Sequence, residues 1–223
     1  MYTTQASMKL ADSSTHGAEA ELFLVEGDSA ARSVAMLRDE RTQAVLPLQG
    51  KPLNAWKATA PKVAACPLYR QLSQALGTVD ALACGDPAAL RFGRIVLLFD
   101  PDADGIHICA LMLLYFRRWM PALIAQGRIA VVRAPMFSMT WDDGAPGFAY
   151  SEEHARALIE QARGQGRGEA QLHRYLGLGS IPPPTLHALC VDPATRLART
   201  VGDADIAAVF AAFGIAAPQP EPR

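Results

Sequence analysis

The sequence predicts an α/β protein built on a parallel sheet, with a small helical subdomain towards its carboxyl end. Residues 95–99 form an uninterrupted apolar run that is too short for a helix and is flanked by turn formers, which is typical of a strand buried on both faces. Residues 106–116 follow closely and are apolar on all sides, as in a helix buried within a larger core. A second short apolar strand, residues 22–25, also passes at once into a helix, so strand–helix units recur along the chain.

The other elements follow from local signals. Gly27 suits a tight turn, and Asp28 or Ser29 can cap a helix that runs through residues 35–37. Apolar runs and turn residues then predict a strand at 43–48, a helix at 69–76, a helical turn at 121–126, strands at 128–133 and 136–141, and a helix from 151 to 162.

These signals divide the chain into five segments. We expect a flexible leader at 1–20, the sheet core at 21–141, a peripheral hairpin, helix and linker at 142–170, a separate helical tail at 171–207 and a disordered end at 208–223. The glycine-rich interruption at 164–168 motivates the boundary before the tail.

Composition limits the possible partners. Half of the 223 residues are hydrophobic, 19% are charged and the formal net charge is −1, so any contact with DNA must come from local patches. The four cysteines form no metal-ligand spacing and are interpreted as buried thiols in a reducing cytosol. Neither a signal peptide nor a run of transmembrane length is found, and we expect no membrane partner.

Carboxylates collect where the predicted strands end. Asp100, Asp102 and Asp104, called here the aspartate trio, directly follow the strand at 95–99, and Glu26 follows the strand at 22–25. The carboxyl ends of strands in open α/β sheets are where such proteins place their sites. Carboxylate oxygens suit Mg²⁺ or Mn²⁺, and if the two strands are neighbours, all four carboxylates converge.

Two other interpretations of the trio are weighed. A solvated acidic turn would need no ligand. The spacing also resembles the start of an EF-hand calcium loop, but its twelfth position would be Leu111 where a glutamate is required, and a strand precedes it, so the EF-hand is rejected.

A loop at 47–54 follows the strand at 43–48 and contains Lys51, with Lys57 and Lys62 further on. Such a loop could contact phosphates, although scattered lysines are more often only solvated.

Six motifs follow one another along the chain: EGDSA at 26–30, LPLQGKPLN at 46–54, DPDADGIHI at 100–108, QGRI at 126–129, YLGLG at 175–179 and DPATR at 192–196. Together they resemble the TOPRIM region of type IIA DNA topoisomerase B subunits, as found in gyrase and topoisomerase IV. The resemblance covers roughly residues 21–201.

The resemblance implies a TOPRIM, Rossmann-like fold and a Mg²⁺-dependent DNA cleavage site shared with an A-type subunit, which carries the attacking tyrosine; Mn²⁺ is a possible substitute. It implies Glu26 as acid/base and metal ligand, with Asp100 and Asp102 as the main ligands and Asp104 supporting them. By the same resemblance, the DNA-binding residues are Lys51, Asn54 and His107.

Several positions depart from the family pattern. Gln49, Cys109 and Leu176 stand where basic residues are usual, Ser180 replaces an acid, and Ala31 with Arg32 replaces a glycine pair. Each lost cation would remove a phosphate contact, so we expect weakened affinity for DNA.

The resulting prediction is a stand-alone or truncated B-subunit-like TOPRIM protein, cytoplasmic and nucleoid-associated, that supports cleavage and rejoining only with an A-type partner. No glycine-rich phosphate loop occurs, so no ATP site or ATPase domain is expected in this chain. Two alternatives stay open: a catalytically deficient module that regulates a topoisomerase by binding it, and an independent TOPRIM nuclease.

Overall fold

The computed structural model describes residues 10–216 apart from 79, 84, 143 and 145. The strands are β1 (Gly17–Glu26), β2 (Gln43–Leu48), β3 (Phe92–Leu97), β4 (Ile129–Val132), β5 (Phe137–Thr140), β6 (Pro146–Ala149), β7 (Gln171–Arg174) and β8 (Ala198–Thr200). The α-helices are α1 (Gly27–Ala35), α2 (Ala60–Ala65), α3 (Pro67–Leu76), α4 (Ala103–Trp119), α5 (Pro121–Ala125), α6 (Glu152–Gly164), α7 (Pro183–Leu186) and α8 (Asp203–Ala212).

The main sheet has the strand order β2-β1-β3-β4-β8. The first four strands are parallel, and β8 pairs with β4 in the antiparallel direction. A smaller antiparallel sheet has the order β6-β5-β7. The α/β class is confirmed, and so is the expectation that the strands around 22–25 and 95–99 are central neighbours, because β1 pairs directly with β3.

Both faces of the main sheet are covered, which explains why its strands are apolar runs rather than alternating ones. Leu22 and Leu24 of β1 point to one face, where they join a core that includes α3, α4 and α8. Phe23 and Val25 point to the other face and pack with α1 and with residues 175–191. All four side chains are fully buried. The sheet is therefore the middle layer, and its carboxyl edge is held between two layers of packing.

The carboxyl-terminal segment differs from the predicted separate helical tail at 171–207. It contributes β7 to the small sheet and β8 to the main sheet, and Tyr175, Leu178 and Ile181 are buried against the sheet face that α1 covers. The reason is that its apolar residues follow no single helical period, so they spread over a turn, short helices and a π-helical stretch at His187–Val191 instead of forming one amphipathic helix.

The described parts of the predicted leader and of the predicted disordered end contain regular structure. Within the expected leader at 1–20, β1 begins at Gly17 and Ala11 forms a bridge with Val45. Within the expected disordered end at 208–223, α8 continues to residue 212 and buries Ile206 and Phe210. Residues 1–9 and 217–223 of these two predictions lie outside the described part of the chain. Among the cysteines predicted to be buried, Cys190 is buried, Cys66 and Cys109 are half-buried, and Cys84 lies outside the described residues.

A buried polar cluster fastens the carboxyl-terminal segment to the main sheet. The Arg196 guanidinium, whose side chain is 1% exposed, donates to the Glu21 carboxylate of β1 and to the Val191 carbonyl, 2.9 Å away. Gln43 of β2 donates to the same carboxylate at 3.0 Å and to the same carbonyl at 3.1 Å. Arg196 and Gln43 together thus tie two strands of the sheet to the segment that carries residues 175–191.

This cluster predicts a large stability effect at Arg196. Arg196→Ala leaves the Glu21 carboxylate without its cation, and removing one partner of a buried pair costs roughly 3–5 kcal/mol in the free energy of unfolding. Arg199→Ala is the matched control, because the Arg199 side chain is 64% exposed in its ion pair with Asp205, and such pairs contribute roughly 0–1 kcal/mol. Urea denaturation measures both, and equal losses in the two variants would contradict the role assigned to the buried cluster.

Candidate metal centre

Glu26 lies at the carboxyl end of β1, where the chain turns into α1. It occupies the N-cap position of that helix, but its side chain makes no capping hydrogen bond. Gly27 supplies the turn with a φ of +71°, a conformation that favours glycine. Within the described residues, the Oε2 atom of Glu26 is buried and has no hydrogen-bond partner. A buried acceptor left in this state is uncommon and indicates a missing ligand, ion or water.

The charge environment of Glu26 is set by the aspartate trio. Burial raises the pKa of the Glu26 carboxyl, and the negative charges of the trio raise it further, in the order Asp100, Asp102, Asp104. Lys51 opposes this rise. The residues that the sequence singles out for a metal site therefore influence one another in the folded chain.

Asp100 follows β3 at the neighbouring strand end and is half-buried. Its Oδ1 accepts a hydrogen bond of 2.8 Å from the backbone N–H of Leu178. Burial raises the pKa of the Asp100 carboxyl, the Leu178 N–H opposes that rise, and the charge of Asp102 adds to it. The Leu178 contact comes from the YLGLG motif, which is part of the family resemblance but was not predicted to reach the metal site.

The other two aspartates define the start of α4. Asp102 is the N-cap, and its Oδ1 accepts from the Gly105 N–H at 2.8 Å. Gly105 has no room for a side chain, because a Cβ there would lie 2.0 Å from the Asp100 carbonyl oxygen. Asp104 is exposed in the first helical turn and pairs with Lys51, with 3.2 Å between Oδ1 and Nζ. Asp102 and Asp104 are thus engaged by a helix amide and a lysine.

The arrangement fits a hard divalent cation through its donor atoms and its charge. In the described ranges, no group of three or more His, Cys, Asp or Glu side chains is placed to enclose an ion. Mg²⁺ is usually held by one or two carboxylates together with several waters, so it needs no such cage. The unpartnered Oε2 of Glu26 and the mutual repulsion of the carboxylates are the two features that a bound cation would relieve.

The predicted DNA-binding residues fall into different surroundings. Lys51 is half-exposed and lies beside the carboxylates, where it forms an ion pair with Asp104. Asn54 is used within its own loop, where its Oδ1 accepts from the N–H groups of Trp56 at 3.1 Å and Lys57 at 3.2 Å. His107 is exposed on α4, with its ring centroid 5.6 Å from that of Phe213. Only Lys51 is in contact with a predicted metal ligand.

The positions that depart from the family pattern have their own contacts. Gln49 donates to Asp28 Oδ1 at 2.7 Å, so it neutralises no charge there. Burial raises the pKa of the Cys109 thiol to about 12, and this residue lines an apolar cavity of about 350 Å³ that opens beside Asp100. Leu176 is 86% exposed. Gln49, Cys109 and Leu176 therefore place an amide, a thiol and an aliphatic side chain at three positions where the family pattern has cations.

Comparison with known proteins identifies the family to which the chain belongs. Residues 21–134 match the Toprim domain family. The chain is 37% identical over 213 residues to the B subunit of DNA gyrase from Mycolicibacterium smegmatis, covering 93% of this chain and 31% of that protein. The same figures hold for the B subunit of DNA gyrase from Mycobacterium tuberculosis. The B subunit of DNA topoisomerase 4 from Salmonella typhimurium is 36% identical over 187 residues, covering 83% of this chain and 29% of that protein.

The chain belongs to the Toprim domain family, as a TOPRIM region of the type IIA topoisomerase B kind. The resemblance that the six motifs indicate is therefore confirmed. The chain spans about a third of the length of the curated relatives it matches. None of the helices in its described part is long and apolar enough to cross a membrane.

The raised pKa of Glu26 predicts a pH-dependent effect of neutralising it. The folded protein binds a proton at Glu26 more readily than the unfolded chain does, so this group lowers stability as the pH rises through its folded pKa. In protein freed of metal with EDTA, Glu26→Gln should therefore raise the free energy of unfolding at pH 7, and the gain should shrink towards pH 4. Glu19→Gln, at an exposed position of the same strand, should give no such gain. Destabilisation by Glu26→Gln at pH 7 would mean that Glu26 has a partner that the structure does not account for.

Proposed function

We propose that this chain is a Mg²⁺-binding TOPRIM module that supports DNA cleavage and rejoining together with an A-type subunit carrying the nucleophilic tyrosine. The proposal is supported above all by the buried Oε2 of Glu26, which has no hydrogen-bond partner in the described part of the chain and lies in the field of three aspartates. Its relatives are named as subunits of DNA gyrase and DNA topoisomerase 4, which makes DNA the expected substrate.

The roles of the residues follow from their surroundings. A bound Mg²⁺ would polarise a phosphodiester and offset its developing charge. Glu26 and Asp100 are the half-buried carboxylates available to hold it, with Asp102 beside them. The pKa of Glu26 is raised towards neutral pH, which favours a role as a general acid or base. Lys51 lies beside Asp104 and can turn to a phosphate when the two exposed side chains separate.

The described tyrosines of the chain are poor nucleophiles for DNA. Tyr69 is fully buried and donates to the Leu53 carbonyl, and burial raises the pKa of its phenol. Tyr115 is also fully buried and donates to the Ala81 carbonyl at 2.8 Å. Tyr175 is 5% exposed, and Tyr150 is half-buried. These surroundings support a division of labour in which the partner supplies the attacking tyrosine. We propose a cytoplasmic, nucleoid-associated location on the separate ground that the relatives are bacterial topoisomerase subunits.

A second candidate function has its own support. Gln49, Cys109 and Leu176 replace three cations of the family pattern, and the formal net charge of the chain is −1. A module of this kind could dock on an A-type subunit and regulate it without cleaving DNA. The carboxylates favour the first candidate, because a docking surface has no need to bury Glu26 without a partner.

The proposed function predicts partner-dependent cleavage. Supercoiled plasmid is incubated with the purified chain, with and without a gyrase A-type subunit, and covalent complexes are trapped with detergent. We expect no linear product from the chain alone, and Mg²⁺-dependent linear product only when both proteins are present. Asp100→Asn combined with Asp102→Asn should abolish the product, whereas Glu19→Gln should leave it unchanged.

The same assay separates the alternatives. Cleavage by the chain alone would favour an independent nuclease. A stable complex with the A-type subunit on gel filtration, without any linear product, would favour the regulator.

A further inference from the structure

The loop at residues 175–180 lies far from Asp100 in sequence but contacts it at the metal centre. Leu178 of this loop is 78 residues after Asp100. The Leu178 N–H donates to Asp100 Oδ1 at 2.8 Å. This is the one hydrogen bond to the Asp100 side chain within the described residues. The orientation of that carboxylate is therefore set by an amide of the carboxyl-terminal segment and not by its own strand or helix.

Gly177 makes this approach possible. Its φ of 152° and ψ of 175° lie in a region that is essentially limited to glycine. A Cβ at this position would lie 2.8 Å from Asp100 Oδ2 and 3.2 Å from Asp100 Cγ. Any side chain at position 177 would thus both strain the backbone and push the carboxylate away from the Leu178 amide.

The loop is itself held in place. Ser180 Oγ accepts from the Leu176 N–H at 2.9 Å and donates to the Gly177 carbonyl at 2.7 Å. The Leu178 side chain is 1% exposed and packs in the core beneath α1. Gly179 lies so close to α1 that a Cβ there would be 3.0 Å from Ser29 Oγ. The amide that meets Asp100 is therefore fixed relative to the strand end that carries Glu26.

We propose that Gly177 and Leu178 are positioning residues that hold the Asp100 carboxylate in its cation-binding orientation, so that cation affinity depends on the docking of the carboxyl-terminal segment. This inference rests on the proposed function, in which Asp100 is a ligand of Mg²⁺. Hydrogen-bond partners of metal ligands commonly change metal affinity about 10- to 100-fold when they are removed. The Leu178 N–H is such a partner, supplied by the backbone.

The test compares two substitutions at one position. Leu178→Pro removes the N–H, and proline is compatible with this site because residue 178 is the first of a short 3₁₀ turn and because the ψ of 175° at Gly177 lies outside the helical region that a following proline disfavours. Leu178→Ala keeps the N–H and removes more of the buried side chain. If packing alone mattered, Leu178→Ala would weaken Mg²⁺ binding more than Leu178→Pro.

Isothermal titration calorimetry with Mg²⁺ measures the dissociation constant for the intact chain and both variants. We expect Leu178→Pro to raise it by about tenfold or more, and Leu178→Ala to leave it within about twofold of the unsubstituted protein. Equal constants for the two variants would overturn the inference while leaving the proposed function standing. No Mg²⁺ binding by the unsubstituted protein would instead overturn the proposed function.

A second measurement needs neither metal nor the proline variant. In metal-free protein, Asp100→Ala should speed hydrogen–deuterium exchange at the Leu178 amide, because it removes the acceptor. Asp104→Ala, which removes an exposed carboxylate of the same turn, should not. Unchanged exchange in Asp100→Ala would overturn the positioning role, even if Leu178→Pro failed to fold.

Discussion

Negative charge is concentrated at the carboxyl edge of the main sheet, where the carboxylates of Glu26 and the aspartate trio repel one another. Glu26 ends β1 and Asp100 lies just beyond the end of the adjacent parallel strand β3, and burial raises the pKa of each carboxyl. Each of the three aspartates has one compensating contact: the Leu178 amide for Asp100, the Gly105 amide for Asp102 and Lys51 for Asp104. The buried oxygen of Glu26 has none among the described residues. Under the proposed function, a bound cation would offset this imbalance, because a ligand that binds only the folded state stabilises it by mass action.

The compensating contacts come from segments that are far apart in sequence, which makes the site a product of tertiary packing. The Leu178 amide belongs to a segment that Arg196 fastens to β1 and Gln43 fastens to β2, and Lys51 belongs to the loop after β2. Two clusters of buried apolar side chains, one on each face of the main sheet, hold these segments against the strands. Loss of packing at the carboxyl-terminal segment would therefore weaken the hydrogen bond to the Asp100 carboxylate, although no residue of that segment is an expected ligand.

Local sequence signals were sufficient to predict the central strands and to predict that the carboxylates behind them lie at one edge of the sheet. The strands near 22–25 and 95–99 are apolar runs followed at once by turn formers, and acidic residues stand directly behind them, so neighbouring strands bring Glu26 and Asp100 together. The carboxyl-terminal segment could not be predicted in this way. The three residues of β8 are all exposed and carry no alternation, so only their pairing with β4 makes them a strand. Likewise, the YLGLG motif alone does not predict the hydrogen bond from the Leu178 amide to Asp100, because that contact depends on the packing of residues 175–191 beneath α1.

The proposed function requires a divalent cation to bind between the ends of β1 and β3. Binding can be located by replacing Mg²⁺ with Mn²⁺, because a paramagnetic ion broadens the NMR signals of nearby amides in ¹⁵N-labelled protein. We expect substoichiometric Mn²⁺ to broaden the amides of Gly27, Asp102 and Leu178 together. Residues 12–16, which include Asp12, lie beyond the other end of β1, roughly 30 Å from Glu26 at the rise per residue of a strand, and should keep sharp signals. Broadening centred on residues 12–16 or on the acidic start of α6, with Gly27 and Leu178 unaffected, would contradict a cation site between the two strand ends.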